Sequence, residues 1–415
     1  MDLKRYLLPL TALFLASLNL RPVITSVSPL LGTIRENLGM SGSTASLLTS
    51  LPVLCMGFFA PAAVKLGQRW SMERTIAYCL LLIGAATAAR YLTGSSWLML
   101  GTAFLAGIGI AIIGPLLSGF IKEKFPNPSA IVGVYSMAMV FGAALGSGLA
   151  VPLQTVLDDS WQASVASWSV LAFLALIFWW KPVRKAPKHA HTNASNVHTA
   201  PSSESGRGDL RRLLSNKRAW LLTCFFAMMA SMFYSVTAWL APMVEELGYD
   251  KQTAGMVLSL FTLVQIPVSL FLPILVSRFQ RRVVWLVGCS VMELIGLILL
   301  QLHVSPWFVC IFLGIGAGGL FPMALMLPID ETSTAEEASA LSAMNQSGGY
   351  ILASFGPFLV GLIHDRTGNF SAPLLVLTAV VVAMMIVQLR IGNKKEKSVR
   401  SEKQAASSLR GSSAR

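Results

Sequence analysis

The stretch Leu7-Leu-Pro-Leu-Thr-Ala-Leu-Phe-Leu-Ala-Ser17-Leu-Asn19-Leu-Arg21-Pro22-Val-Ile-Thr25-Ser-Val-Ser28-Pro-Leu-Leu31 is apolar throughout, except for one arginine near its middle. About 20 such residues cross the hydrocarbon core of a bilayer as a helix. A charge at that depth costs about 2.5–3.5 kcal/mol on insertion scales, so it faces protein or water and has a partner. A guanidinium keeps its proton and forms a fork suited to anions. Arg21 is therefore read as meeting a negatively charged or strongly dipolar solute. A buried carboxylate or a helix-end carbonyl is the structural alternative. At about 100° per residue, Ser17, Arg21, Thr25 and Ser28 share one helix face, while Asn19 points away. Pro22 removes a backbone donor beside the charge and predicts a bend.

Composition carries this reading to the whole chain. Of 415 residues, 54% are hydrophobic and 12% charged, and the mean hydropathy is +0.65. That is the signature of a polytopic helical membrane protein, not a soluble domain. The net charge of +13 does not point to nucleic acid, because the basic residues cluster between apolar runs and at the C-terminus. The start Met1–Arg5 with an apolar run behind it imitates a secretory signal, but Arg21-Pro22 interrupts the run. Cys55, Cys79, Cys224, Cys289 and Cys310 all fall in apolar runs without metal-ligand spacing and read as buried free thiols.

Twelve runs are long enough to span: 7–31, 44–66, 75–93, 97–120, 131–154, 161–180, 219–243, 253–276, 283–303, 307–329, 338–362 and 370–390. With a cytoplasmic N-terminus, 27 of the 32 Lys and Arg residues fall on the cytoplasmic side. The other side keeps Arg35, Arg90, Lys251 and Arg366. The positive-inside rule then places both termini in the cytoplasm, with the acidic loop Asp330–Ala338 as its exception. The expected organisation is a six-helix bundle at 1–180, a disordered polar linker at 181–218, a second six-helix bundle at 219–391 and a basic tail at 392–415. His189, His191 and His198 in the linker read as solvated residues, and the tail is suited to anionic lipid headgroups.

The two halves repeat. At an offset of 209, Glu36-Asn-Leu38-Gly39 pairs with Glu245-Glu-Leu247-Gly248, Thr44-Ala45 with Thr253-Ala254, Ser50-Leu51 with Ser259-Leu260, and Arg69 with Arg278. At 207, Gly107-Ile-Gly109 and Pro115 pair with Gly314-Ile-Gly316 and Pro322. Duplicated halves around a midplane site are a transporter architecture.

The residues now resemble the major facilitator superfamily. Loops after the second span of each half, carrying Arg69 and Arg74, and Arg278, Arg281 and Arg282, sit where that superfamily has its Asp-Arg-x-Gly-Arg-Arg gating loop. Gln68 and Ser277 stand in place of the acid, and Ser71 and Gln280 in place of the glycine. Within the superfamily, Asn19-Leu-Arg21-Pro22-Val-Ile-Thr25-Ser26-Val-Ser-Pro29-Leu-Leu31 is similar to the first-helix signature of the cyanate and 2-nitroimidazole permeases (CynX/NimT). Leu47-Leu-Thr49-Ser-Leu51-Pro52 and Phe59-Ala-Pro61 share that likeness. The resemblance implies an all-α fold of twelve transmembrane helices in two pseudo-symmetric six-helix bundles. It also implies secondary transport, by alternating access across a bacterial-type inner membrane, of a small anion or polar solute.

The expected solute site comprises Arg21, Ser17, Thr25, Asn345, Gln346, Gln265, Tyr234 and Trp239, with Tyr135 as a further aromatic wall. Intramembrane Asn and Gln either join helices or bind solute. Trp239 is equally an interfacial anchor. Arg21 has Ala230 as its repeat mate, so the basic site is one-sided and suits a single negative charge. Glu293, the one acid deep in a span, is a candidate carrier of a coupling proton, with a structural hydrogen bond or a helix-end role as the alternative that the peripheral place implied for its helix favours. His303 and His364 read as interfacial residues. The glycines of Gly133–Gly148 and Gly314–Gly319 read as close-packing residues, with sliding of the halves at Gly142, Gly146 and Gly148 as the functional extension. No metal site, cofactor, nucleic acid or catalytic residue is expected, and the chain is read as a monomer. An exporter of small aromatic compounds and a non-transporting membrane sensor are the alternatives.

Overall fold

A computed structural model describes residues 3–40, 42–185 and 213–393. His189, His191 and His198, most of the expected linker and the tail beyond 393 lie outside the described residues.

Long apolar runs become long helices, because in a bilayer every backbone polar group must be satisfied within the segment. In chain order they are α1 (Tyr6–Leu38), α2 (Leu47–Phe59 with Ala62–Trp70), α3 (Met72–Leu92), α4 (Ser96–Lys124), α5 (Pro128–Val156) and α6 (Trp161–Trp180). The second set is α7 (Lys217–Glu246), α8 (Thr253–Phe279), α9 (Arg282–Gln301), α10 (Pro306–Glu331), α11 (Ala335–Thr367) and α12 (Ser371–Ile391). Two departures from straight helices follow from proline. The segments of α2 meet at 65°, at Pro61. In α1, regular helix stops at Leu18, a single turn covers Pro22–Thr25, and a 3₁₀ turn covers Ser28–Leu30 before the helix resumes at Leu31. Gly39 and Gly248, repeat mates, both sit at positive φ (59° and 92°) and end α1 and α7.

Packing reproduces the repeat contact by contact. A β-carbon at Gly107 of α4 would lie 2.8 Å from Pro52 Cα, and one at Gly314 of α10 would lie 2.9 Å from Phe261 O. Gly109 packs on Cys79 and Ile83 of α3, and Gly316 on Cys289 and Glu293 of α9. Each partner is the repeat mate of the other, at offsets of 209 or 210.

Ion pairs repeat with their signs exchanged. Glu73 of α3 pairs with Lys124 of α4 at 3.1 Å, and the mirror positions are Arg282 of α9 with Glu331 of α10 at 2.5 Å. Arg218 joins Glu331 at 2.9 Å. Ser71 and Gln280, which replace the glycines of the gating-loop pattern, hold positive φ (72° and 56°) as glycine would. Arg69 lies 5.9 Å from the Trp70 ring, Arg278 and Arg281 are exposed, and Arg74 caps onto Ser71 through its backbone N–H.

The halves touch at the end carrying these basic residues, here called the basic end. Lys122 Nζ donates to the Ile329 and Thr332 carbonyls that end α10. Ser129 Oγ donates to Asp330 (2.7 Å) and Ser136 Oγ to Ser269 O (3.1 Å). A β-carbon at Gly133 would meet Leu270 O at 2.5 Å. Deeper in, Gly57 faces Ile351, and Gly114 faces Gln346 Oε1.

Two expectations need correction, the sliding role of the α5 glycines and the burial of Cys224. Gly142 and Gly146 press α5 onto the Leu18–Thr25 break of α1 inside one half, and nothing lies within 4 Å of the Gly148 β-position. The glycines that do separate or join the halves are Gly57, Gly114, Gly119 and Gly133. Arg90, which the charge count places at the outer end of the 75–93 span, is wholly buried in the last turn of α3. Cys224 is exposed, unlike the other four cysteines.

Candidate solute site

Arg21 begins the short Pro22–Thr25 turn, so the proline break sets where its side chain emerges. The guanidinium carbon lies 5.6 Å from the Phe321 ring centre and 5.9 Å from that of Phe233. Cation–π contacts contribute about 0.5–1 kcal/mol at exposed sites and about 2 kcal/mol when desolvated. Tyr234 and then Tyr350 continue the aromatic face beyond Phe233, and Tyr135 lies within electrostatic reach of the guanidinium. Tyr234 Oη approaches the guanidinium, but no well-aligned hydrogen bond holds it. The rings also brace one another: Phe233–Tyr234 at 5.4 Å, Tyr234–Tyr350 at 6.3 Å and Phe226–Tyr350 at 5.3 Å between centres.

Arg21 and Tyr135 come from the first half, and Phe233, Tyr234, Phe321 and Tyr350 from the second. Among the described residues, no carboxylate lies within 4 Å of Arg21, and no cluster of His, Cys, Asp and Glu suits a metal ion. Arg21, Phe233, Tyr234 and Phe321 are only half-buried. An uncompensated guanidinium between flat apolar faces can take one anionic group and stack whatever planar system carries it.

The remaining expected residues divide. Gln346 sits at the boundary between halves, against Gly114, with Nε2 unpaired. Asn345 accepts from Thr223 Oγ1 (3.0 Å) and so ties α11 to α7. Gln265 donates to Phe261 O of its own helix (3.1 Å) and packs on Gly318. The polar stripe expected on α1 does not form. Ser17 is fully buried and bonds Leu13 O, and Thr25 bonds Arg21 O and faces Gly146. The break rotates these side chains apart.

Trp239 is not part of the box. Its Nε1 donates to Pro357 O (2.9 Å), and its ring packs on Gly361, His364 and Phe370. It joins α7, α11 and α12 as a structural residue. Glu293 lies between α9 and α10, buried to 3% exposure, with Oε2 unpaired and Gly316 making room for its Cγ.

Sequence reasoning missed Phe233, Phe321 and Tyr350. Tyr350 follows Gln346 by one helical turn, a spacing that already placed both on one face. Phe321 is the repeat mate of Gly114, so the aromatic ring stands where the other half has no side chain and admits Gln346.

Comparison with known proteins agrees with this geometry. The Major Facilitator Superfamily model matches residues 11–357. The Escherichia coli cyanate transport protein CynX is 34% identical over 387 residues, covering 92% of this chain and 96% of its own. The 2-nitroimidazole transporter of the same organism is 34% identical over 399 residues, covering 95% and 97%. Among solved structures, a point variant of the E. coli fucose:proton symporter FucP superposes with a TM-score of 0.74 at 14% identity, over 94% of this chain and 99% of that one. Two mirrored six-helix halves, a broken first helix and relatives matched nearly end to end establish that the chain belongs to the major facilitator superfamily, in the group of the cyanate and 2-nitroimidazole transporters.

Proposed function

We propose that this transporter carries a small planar monoanion across the cell (inner) membrane by secondary, alternating-access transport, with Arg21 as the anion-binding group. The observation that carries the reading is the uncompensated Arg21 guanidinium in an aromatic box built from both halves. Cyanate is a slim monoanion and 2-nitroimidazole a flat nitro ring, and both relatives named for them match nearly the full chain. One charge facing Ala230 at the mirror position matches one negative charge on the solute. Because α1 supplies the charge and α7, α10 and α11 supply faces, a bound solute bridges the halves. Gln346 stands at the boundary as a polar contact, and Asn345 and Gln265 support the wall.

The basic end is read as cytoplasmic, with both termini on that side. Closure there by Lys122, Ser129 and Ser136 supports a conformation in which Arg21 faces outward. Rocking of the halves then opens these contacts. No cofactor takes part, and Glu293 is the residue assigned to a coupling proton.

The test is saturable uptake of cyanate, 2-nitroimidazole and short carboxylates into liposomes. Arg21→Gln removes hydrogen bonds to a charged group, each about 1.5–3 kcal/mol, so KM is expected to rise about tenfold or more. A second reading, export of uncharged small aromatic compounds, is favoured by the preponderance of rings in the box. Transport of neutral aromatics that is indifferent to Arg21→Gln would select it and remove the anion role.

A further inference from the structure

Arg90 is the second guanidinium enclosed in the first half, and nothing in the box uses it. It is 0% exposed, at the end of α3, and has no carboxylate within 4 Å among the described residues. Its Nη1 donates to Val23 O at 2.7 Å, and its Nε reaches Thr102 Oγ1 of α4 at 3.4 Å. Nη2 has no hydrogen-bond partner. A permanent charge buried without a counter-ion is costly, so the bond it does make calls for an explanation.

The explanation lies in the break of α1. In a continuous helix the Val27 N–H would close on Val23 O. Here it turns instead to Ile24 O (3.3 Å). Val23 O is thereby left without a helical donor inside the protein, and Arg90 supplies one. The residues held this way, Pro22–Thr25, are the single turn that Arg21 begins. Arg21 O in turn accepts from Ile24 N and Thr25 N, both at 3.0 Å. The fixed carbonyl is thus two residues from the anion-binding side chain, on a segment too short to hold its own shape.

We infer that Arg90 is a positioning residue: it clamps the broken turn of α1 to α3 and α4 and so fixes where the Arg21 guanidinium stands. The inference rests on the reading of Arg21 given above. It assigns Arg90 no contact with solute.

Full-length protein in lipid nanodiscs and in liposomes tests this with Arg90→Gln, Arg90→Lys and Arg21→Gln. Losing a hydrogen bond from a charged donor is expected to speed amide exchange across residues 19–27 about tenfold, with α7 to α12 unchanged. KM for cyanate or 2-nitroimidazole is expected to rise about tenfold with kcat near the parent value. Arg90→Lys, which keeps one charged donor, should recover part of both effects. In the Arg21→Gln background, Arg90→Gln should leave KM where Arg21→Gln put it, because the two act through one group. Unchanged exchange at 19–27, exchange raised evenly over all helices, or an equal KM effect with and without Arg21 would each overturn the inference. Indifference of uptake to Arg21→Gln would instead sink the reading of the box, while the exchange result would still decide whether Arg90 holds the break.

Discussion

Gly133→Leu is the sharpest probe of how the halves move. Gly133 on α5 faces the backbone of α8, where a β-carbon would stand 2.5 Å from Leu270 O and 3.4 Å from Leu270 C. A backbone carbonyl cannot rotate aside as a flexible side chain can. One turn further along, Ser136 Oγ holds the neighbouring Ser269 O at 3.1 Å, so the two helices cannot slip past each other cheaply. Overpacking of a tight contact costs about 1–3 kcal/mol. The cost falls only on the conformation in which the basic end is closed, since opening that end separates α5 from α8. It therefore biases the equilibrium by about 5–150-fold toward the open basic end. Spin labels at Gln68 and Glu336, which line one vestibule at this end, report the change as a distance distribution. The short-distance population is expected to shrink in Gly133→Leu, and uptake from the outer side to slow with it. Gly148→Leu on the same helix is the matched control, because nothing lies within 4 Å of its β-position. A parental distance distribution in Gly133→Leu, or an equal shift in Gly148→Leu, would refute the reasoning.

Three further outcomes are expected. Tyr234→Phe removes the hydroxyl beside Arg21 and should raise KM several-fold with thermal stability kept, whereas Trp239→Phe loses the bond to Pro357 O and should cost about 1 kcal/mol of stability with KM kept. Uptake kinetics and thermal unfolding of the two variants separate these effects. Glu331→Gln leaves Arg282, 4% exposed, without its carboxylate and should destabilise by about 3 kcal/mol, while Glu73→Gln leaves Lys124, 33% exposed, within reach of water and should cost about 1 kcal/mol or less. Equal losses in thermal unfolding would contradict that accounting. With Glu293 as the proton carrier, Glu293→Gln should abolish uptake driven by an imposed pH gradient while leaving solute counterflow intact, and gradient-driven uptake at the parental rate would dismiss the assignment.

The spans were legible because apolar length and charge placement are properties of the sequence itself, and the bilayer enforces them. The repeat was legible for the same reason: Gly107 and Gly314 are glycines because each meets a neighbouring helix at the same place. The break in α1 followed from Pro22, but its consequence did not. A face computed for an unbroken helix put Ser17 and Thr25 beside Arg21, and the turn at residues 19–21 takes them elsewhere. Arg90 stands at the span end where the sequence puts it, but a charge there normally reaches the interface, and only tertiary structure shows an orphan carbonyl waiting for it. Trp239 and Tyr234 are five residues apart on one helix, so nothing local distinguishes a structural ring from a site ring. Their neighbours do: a carbonyl of α11 in one case, a guanidinium of α1 in the other.

The two copies of the repeat agree where packing demands it and differ around the Arg21 box, the proposed solute site. The α3–α4 and α9–α10 ion pairs show what agreement means. Reversing both charges, from Glu73–Lys124 to Arg282–Glu331, keeps the pair and so keeps the bundle end, and either sign serves. The differences are of another kind, because they leave no equivalent behind. Arg21 answers to Ala230, Thr25 to Tyr234, Gly114 to Phe321 and Ile83 to Glu293. Three of these four exchanges fall in the box or at its floor, and each gives one half a feature that the other lacks. The first half holds the charge, and the second holds most of the aromatic face. If the solute is the proposed planar anion, neither half alone can satisfy it: the charge would lack its wall, and the wall its charge. On the proposed reading, affinity exists only while both halves close on the solute, and this is the condition for a bound solute, rather than an empty site, to carry the halves from one conformation to the other.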